Sequence, residues 1–120
     1  MGYSSLLFAF LPLVFAACSD TRGNPVAGGQ PERGKHLAAW YGCGSCHEIP
    51  GLRGATGQVA PPLHRIARRA YITGSVPNTP ANLIRWIRAP RTVDARTIMP
   101  EMNIPEHDAK DIAAFLYTLD

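Results

Sequence analysis

The stretch Cys43-Gly44-Ser45-Cys46-His47 decides how the rest of this 120-residue chain is interpreted. A C-x-x-C-H run is the attachment motif for a c-type haem. Its two thiols can bond covalently to the two vinyl groups of one porphyrin, while the neighbouring imidazole binds the iron from one face. The two residues between the thiols are small, so we expect the porphyrin edge to lie against their backbone. The motif therefore predicts one covalently bound haem c, with His47 as an iron ligand.

Two other kinds of site use paired cysteines. A thioredoxin-like redox pair lies at the start of a helix that follows a strand, but no alternating strand pattern precedes Cys43. A zinc site needs a second pair of ligands, and the only other cysteine, Cys18, lies at the end of an apolar N-terminal segment. The sequence therefore disfavours both alternatives.

The N-terminal residues 1–17 have the pattern of a lipoprotein-type signal peptide. Residues 3–17 form an apolar run that is too short to span a bilayer as an ordinary helix, and two alanines precede Cys18, as in a bacterial lipobox. The start of the chain lacks Lys and Arg, and Phe15 stands where a lipobox usually has Leu. Simple signal cleavage and a retained hydrophobic anchor are the alternatives. We expect the folded part on the periplasmic side of the bacterial inner membrane, attached through a lipid on Cys18 or, alternatively, soluble.

The rest of the chain divides into a linker and one domain. Residues 18–30 are rich in glycine and polar residues and lack a hydrophobic period, which predicts a flexible tether. Residues 31–120 have the length of one ordinary domain, and 11 prolines and 11 glycines in the chain indicate several loops between short helices. The net charge of +3 is compatible with a membrane surface or an acidic protein partner, and we expect no nucleic-acid partner.

Helical patterns in the domain predict an all-α fold of four or so short helices wrapped around one haem. Apolar residues recur every three or four positions, and glycine, proline or capping residues mark the ends. The first pattern contains Gly34, which costs about 1 kcal/mol relative to alanine inside a helix and predicts that the last helix crosses there. Thr79 is predicted to cap the third helix, and residues 103–106 resemble a capping box before the fourth. The predicted helices cover 31–42, 63–71, 81–89 and 106–119.

The second iron ligand is predicted in the loop 91–103. This loop holds two methionines, and a thioether is a soft, neutral ligand that favours ferrous iron and raises the haem potential. Met99 is the predicted ligand because the rigid Pro100 follows it, whereas Met102 lies beside the helix start and is expected to fill the core. Three histidines on predicted exposed positions are the competing ligands: His36, His64 and His107.

Two further residues are assigned to the haem environment. The carbonyl of Pro61 is expected to accept a hydrogen bond from His47, because a metal-bound imidazole normally donates its other ring N–H to a fixed acceptor. An ordinary loop proline is the alternative. Trp86 has an indole N–H that needs a partner when buried, and a haem propionate would provide one, although a plain core tryptophan fits equally well.

Together these features resemble a class I cytochrome c over residues 31–120. They occur in the family's order: a glycine in the first helix, the C-x-x-C-H motif, a proline-leucine turn, and a loop methionine before an aromatic C-terminal helix. The stretches 41–51, 82–87 and 98–100 are similar to the cytochrome c domains and subunits that serve haem-copper oxidases. The resemblance implies a class I cytochrome c fold with one covalently attached haem c and its iron as cofactor.

The resemblance also implies individual roles around the haem. Cys43 and Cys46 would form the thioether bonds. His47 and Met99 would be the axial ligands of the iron. Pro61 would accept the hydrogen bond that His47 donates.

Two implied details concern the fold. Phe115 in the last helix would be the packing partner of Gly34 in the first. Ala60 departs from the glycine that the family often has before the following proline, which affects the turn and not the ligands.

The predicted ligand set indicates the function. With both axial positions filled by the chain, the iron has no open site for oxygen or peroxide, so we expect outer-sphere electron transfer and no enzymatic activity. We expect single electrons to pass from a quinol-oxidising complex or dehydrogenase to a terminal haem-copper oxidase in a respiratory chain. The alternative is a haem relay subunit fixed within a membrane respiratory or dehydrogenase complex.

Arginines are candidates for a docking surface. The partly exposed haem edge is expected near the two thioether bonds, and basic side chains around it would steer an acidic partner. A solvated basic face with no partner fits the sequence equally well. The candidates are Arg53, Arg65, Arg68 and Arg69.

Overall fold

The computed structural model describes Met1 and residues 23–120, which are mostly helical. The predicted all-α class with about four short helices is confirmed. Cys18 and the predicted leader, apart from Met1, lie outside the described residues. No helix in the described part of the chain has the length and apolar content needed to cross a membrane. The helices are α1 (Pro31–Trp40), α2 (Pro80–Arg88), α3 (Pro90–Val93) and α4 (Glu106–Leu116), and a small hairpin pairs β1 (Tyr71–Thr73) with β2 (Val76–Pro77).

The crossing of α1 and α4 is the most extensive contact between two elements, and Gly34 lies at its centre. A Cβ added at Gly34 would lie 1.8 Å from the carbonyl oxygen of Asp111 and 2.9 Å from the backbone nitrogen of Ile112. The predicted crossing at Gly34 is therefore confirmed. The implied partner is corrected, because the nearest atoms are α4 backbone and not Phe115, which lies one turn later and is buried in the core.

A network of charged and polar side chains also joins α1 to α4. Arg33 bonds to both Asp108 and Asp111, and the hydroxyl of Tyr41 donates to Asp108 over 2.8 Å. The two aspartates are only 7% and 4% exposed. Burial disfavours the ionised form of Asp108, but the hydrogen bonds from Tyr41 and Arg33 outweigh it and hold the pKa of that carboxyl below its ordinary value. The carboxylates are thus paired where they are buried, as a low-dielectric interior requires.

Residues 24–30, which the tether prediction covered, lie against α4. Val26 is 4% exposed and belongs to the core. The amide of Asn24 donates to the carbonyl of Ala114 over 2.7 Å, and the backbone N–H of Gln30 donates to Asp111 over 2.8 Å. We call residues 24–30 the N-terminal strap. The polar composition of the strap gave no indication of these contacts, because one buried apolar side chain and hydrogen bonds between side chains and backbone hold the strap in place. The packed part of the chain therefore begins before Pro31.

The ends of α2, α3 and α4 follow local chemistry. Thr79 caps α2 as predicted, accepting a hydrogen bond from the backbone of Asn82 over 3.2 Å. Pro90 was expected only to stop that helix, yet it is buried and begins the one-turn helix α3. The capping box predicted over 103–106 is wrong, because the N-cap of α4 is Pro105, which makes no side-chain cap.

The helix predicted over residues 63–71 is also wrong. Arg65 has a φ of 54°, in the left-handed region, and only a 3-10 turn follows it at Ile66–Arg68. Tyr71 then enters the hairpin, whose β-branched residues favour a strand. The apolar spacing of the segment resembles that of a helix, and Ile66 is buried, but its 3-10 turn lacks the i to i+4 backbone hydrogen bonds of an α-helix.

Candidate functional site

A cavity of about 370 Å³ lies between the C-x-x-C-H motif, the methionine loop and the helices α2 and α4. This volume is in the range of roughly 300–1,000 Å³ that small-molecule and cofactor sites occupy. Its walls are mainly apolar and include side chains of the buried core, such as Leu83, Ile87 and Ile112. All six residues assigned to the site line it, although their roles toward a haem stay predictions: Cys43, Cys46, His47, Pro61, Trp86 and Met99.

The C-x-x-C-H motif is held by a 3-10 turn at Cys43–Ser45. The backbone N–H groups of Cys46 and His47 both donate to the carbonyl of Cys43, over 3.3 and 3.0 Å. This turn brings both thiols and the imidazole to one wall of the cavity. Gly44 does not line the cavity, and a Cβ there would lie 2.6 Å from Ala55. Its small size is therefore needed for packing of the loop behind the motif.

The surroundings of Cys43 disfavour its thiolate form. Burial raises the pKa of Cys43 above its ordinary value. Redox-active pairs need the opposite shift, because the thiolate is the nucleophile. In the part of the chain that the structure describes, no group of three or more His, Cys, Asp or Glu side chains is placed to hold a metal ion. Neither the redox pair nor the zinc site gains support.

The side chain of His47 is oriented by the backbone of Pro61. Its Nδ1 lies 2.6 Å from the Pro61 carbonyl oxygen, the contact that the sequence led us to expect. A carbonyl oxygen only accepts, so Nδ1 carries a proton and Nε2 is the ring nitrogen left to bind a metal in the neutral imidazole. Because the ring also lines the cavity, it presents the tautomer that a metal ligand requires. His47 is the only one of the chain's four histidines that lines the cavity.

The three competing histidines lie elsewhere. His36 is exposed on α1. His64 pairs with Glu48 over 3.0 Å, and His107 pairs with Asp108 over 3.3 Å. These contacts place them at the surface, away from the cavity walls.

Both loop methionines line the cavity, but their surroundings differ. Met102 packs against the buried core, as expected of a residue that fills a gap, and Met99 is not among the side chains that do so. The backbone N–H of Met99 donates to the hydroxyl of Thr97 over 3.1 Å. Ser and Thr side chains commonly form turns by accepting a hydrogen bond from the backbone two residues later. Thr97 is therefore a sequence signal for this turn. The turn fixes the backbone from which the Met99 thioether reaches the cavity.

Arg69 was predicted only as a candidate docking residue near the haem edge, but its side chain lines the cavity. Its guanidinium donates to the carbonyls of Pro62 and His64, the latter over 3.0 Å, and its side chain also lines the cavity. A fixed cation in an apolar cavity is suited to a ligand that carries carboxylates. Trp86 lines the cavity as well and is half-buried. No sequence signal distinguished Arg69 from the neighbouring arginines.

The other three docking candidates do not line the cavity. Arg68 pairs with Asp120 over 3.2 Å. Arg53 and Arg65 are exposed. Two large exposed side chains at the cavity are apolar instead, namely Val59 at 64% and Ile98 at 75%.

Comparison with known proteins identifies a family. The family model described as Cytochrome c matches residues 31–120, a range that includes every residue of the cavity wall. No curated protein matches the chain.

Proposed function

Because this chain belongs to the cytochrome c family, and is therefore an electron-transfer protein with covalently bound haem c, we propose that it serves a respiratory chain. In this proposal it takes single electrons from a quinol-oxidising complex or dehydrogenase and passes them to a terminal haem-copper oxidase. The main support for this proposal is that two thiols, an oriented imidazole and a loop thioether line one cavity. Such a set would supply both protein ligands of a haem iron, which would leave no open position for a substrate.

The residues of the cavity fit a haem, which supplies one-electron chemistry when bound. Cys43 and Cys46 would hold its edge through thioether bonds. His47, fixed by Pro61, and Met99 would supply the two protein ligands of the iron. The apolar walls would exclude water, which favours the less charged ferrous state. No residue of the cavity is arranged as a nucleophile with its base, so we propose no enzymatic step.

Apolar contacts, more than charge, would dock the partner. Val59 and Ile98 line the cavity and are still more than half exposed, so a partner that covers the cavity opening would bury them. Of the four arginines considered, Arg69 alone lines the cavity, and carbonyl groups already hold its guanidinium. We therefore propose an acceptor whose docking face is apolar where it meets the haem edge.

This proposal predicts a weak dependence of electron transfer on salt. Reduced protein mixed by stopped flow with oxidase-containing membranes should transfer electrons at a rate that changes less than about threefold between 50 and 200 mM salt, because apolar contacts are not screened. Replacing Ile98 by Ser should slow the reaction about tenfold. Replacing Trp40 by Ser, at an 82% exposed tryptophan that does not line the cavity, is the matched control and should change little.

Two outcomes would contradict the proposal. A rate that falls steeply with salt would indicate electrostatic steering by the basic face. Failure to reduce any oxidase from the same membranes, at any salt, would favour a relay subunit fixed in a complex.

We also propose that a lipid on Cys18 holds the protein at the periplasmic face of the inner membrane. The support is the apolar segment followed by two alanines and a cysteine. Mass spectrometry of the mature N-terminus should find Cys18 as the first residue with two or more acyl chains, since one chain gives only marginal binding. Cys18→Ser should release the protein from membranes. An unmodified terminus after Cys18 would rule out this anchor.

A further inference from the structure

Asn78 makes an unusually complete set of hydrogen bonds beside the cavity. It is half-buried and lies between β2 and α2. Its side-chain amide donates to the carbonyls of Ile66 and Arg69, over 2.8 and 3.0 Å. Its backbone N–H donates to the carbonyl of Ala70 over 2.9 Å. The side-chain oxygen accepts from the hydroxyl of Tyr117 over 2.9 Å.

These bonds fix a part of the cavity wall that has little regular structure of its own. Ile66 and Arg69 both line the cavity, and Ile66 is 6% exposed. They lie in a segment whose regular structure is one 3-10 turn, held by short-range backbone bonds such as the one from the Arg69 N–H to the Ile66 carbonyl. Asn78 ties this segment to Tyr117, which directly follows the last residue of α4. The position of the wall therefore depends on Asn78 together with the backbone bond from the N–H of Ala67 to the carbonyl of Leu119, over 3.1 Å.

Only an amide satisfies this arrangement. The two carbonyls of Ile66 and Arg69 need a side chain that donates twice, and the hydroxyl of Tyr117 needs one that accepts. A carboxylate cannot donate, and an apolar side chain would leave the Arg69 carbonyl without this partner, which costs about 1–3 kcal/mol. The Ile66 carbonyl would keep only the bond from the Arg69 N–H.

We propose that Asn78 is a positioning residue that sets the reduction potential of the haem by holding Ile66 and Arg69 in the cavity wall. The inference deepens the proposed function and rests on its placement of the haem in this cavity. The apolar shell around a metal site controls the access of water and hence the potential. A wall released from Asn78 admits water, and water stabilises the more highly charged ferric state. The potential then falls.

The test compares Asn78→Ala with Asn24→Ala in the full-length protein carrying its haem. Asn24 is also a half-buried asparagine that donates to a distant carbonyl, that of Ala114, but the N-terminal strap does not line the cavity. Both changes remove an amide and alter no charge. The measurements are potentiometric titration, thermal unfolding and hydrogen exchange of the backbone amides of residues 66–70.

We expect Asn78→Ala to lower the ratio of reduced to oxidised protein about tenfold at a fixed ambient potential, a shift of about 59 mV for a one-electron couple. Amides of residues 66–70 should exchange faster. Tyr117→Phe removes one bond of the set and should shift the potential less, in the same direction. Asn24→Ala should lower the unfolding temperature and leave the potential unchanged.

The proposal is overturned by an unchanged potential in Asn78→Ala, or by an equal fall in Asn24→Ala, which would link the potential to stability in general. If Asn78→Ala yields no holoprotein, Tyr117→Phe decides, and an unchanged potential in that variant rejects the role. These measurements need no partner protein. A wild type that reduces no oxidase would therefore reject the proposed function and leave the role of Asn78 standing.

Discussion

Replacing Gly34 by alanine should strongly destabilise the fold, because the added methyl group would overlap the backbone of α4. Its Cβ would lie 1.8 Å from the carbonyl oxygen of Asp111, and backbone cannot move aside as a flexible side chain can. Overpacking of this kind costs typically 1–3 kcal/mol and occasionally more. We expect at least about 3 kcal/mol, a large part of the roughly 5–15 kcal/mol that stabilises a typical domain.

The measurement is denaturant unfolding of the holoprotein followed by circular dichroism, together with the yield of protein that carries haem. Gly54→Ala is the control. Gly54 has a φ of +75° and nothing within 4 Å of an added Cβ, so its substitution should cost only the backbone strain of about 1–2 kcal/mol. Equal losses for the two variants would show that the α1–α4 contact at Gly34 does not control stability.

Replacing Met99 by alanine should lower the reduction potential by an amount on the order of 100–300 mV, within the range of about 0.8 V that axial ligands span. The thioether favours ferrous iron, and its loss removes that preference. The weak absorption band from sulfur bound to ferric iron should disappear as well. Optical spectroscopy and potentiometric titration of the holoprotein measure both effects.

Met102→Ala is the matched control, because both methionines line the cavity but Met102 packs against the core. This variant should keep the absorption band and the potential. It should lose stability instead, toward the lower end of the roughly 2–5 kcal/mol that truncation of a buried methionine costs. Loss of the band in Met102→Ala and its retention in Met99→Ala would reverse the ligand assignment.

Local signals made much of the fold predictable. Thr79 and the proline after it mark the start of α2 because a cap and a fixed φ act within one turn. Gly34 indicated a close helix crossing because few other reasons favour glycine inside a helix. The helix prediction for the segment after Pro62 was wrong because contacts outside the segment determine its structure. Its apolar spacing suits a helix, but hydrogen bonds from Asn78, which follows the segment in the chain, hold it in a non-helical conformation.

The site was predictable to the extent that its chemistry is encoded in neighbouring residues. The C-x-x-C-H motif and the loop methionine carry their own signals, and they line one cavity. Residues that act through tertiary contacts carry none. Arg69 resembles Arg68 in sequence, yet one lines the cavity and the other pairs with Asp120 at the surface. Only the path of the backbone in the folded protein gives these two arginines different surroundings.

The docked N-terminal strap shortens the reach of the protein. If residues 19–30 were all free, an anchor at Cys18 would let the domain move up to about 45 Å from its attachment point, at about 3.5 Å per residue. With residues 24–30 fixed to α4, a lipid anchor on Cys18 would be separated from the packed chain by residues 19–23, which span at most about 20 Å, less than the length of many domains. A protein anchored in this way would not shuttle across the periplasm. It would meet its partners by diffusing along the membrane plane and by turning in place, which would raise their effective concentration.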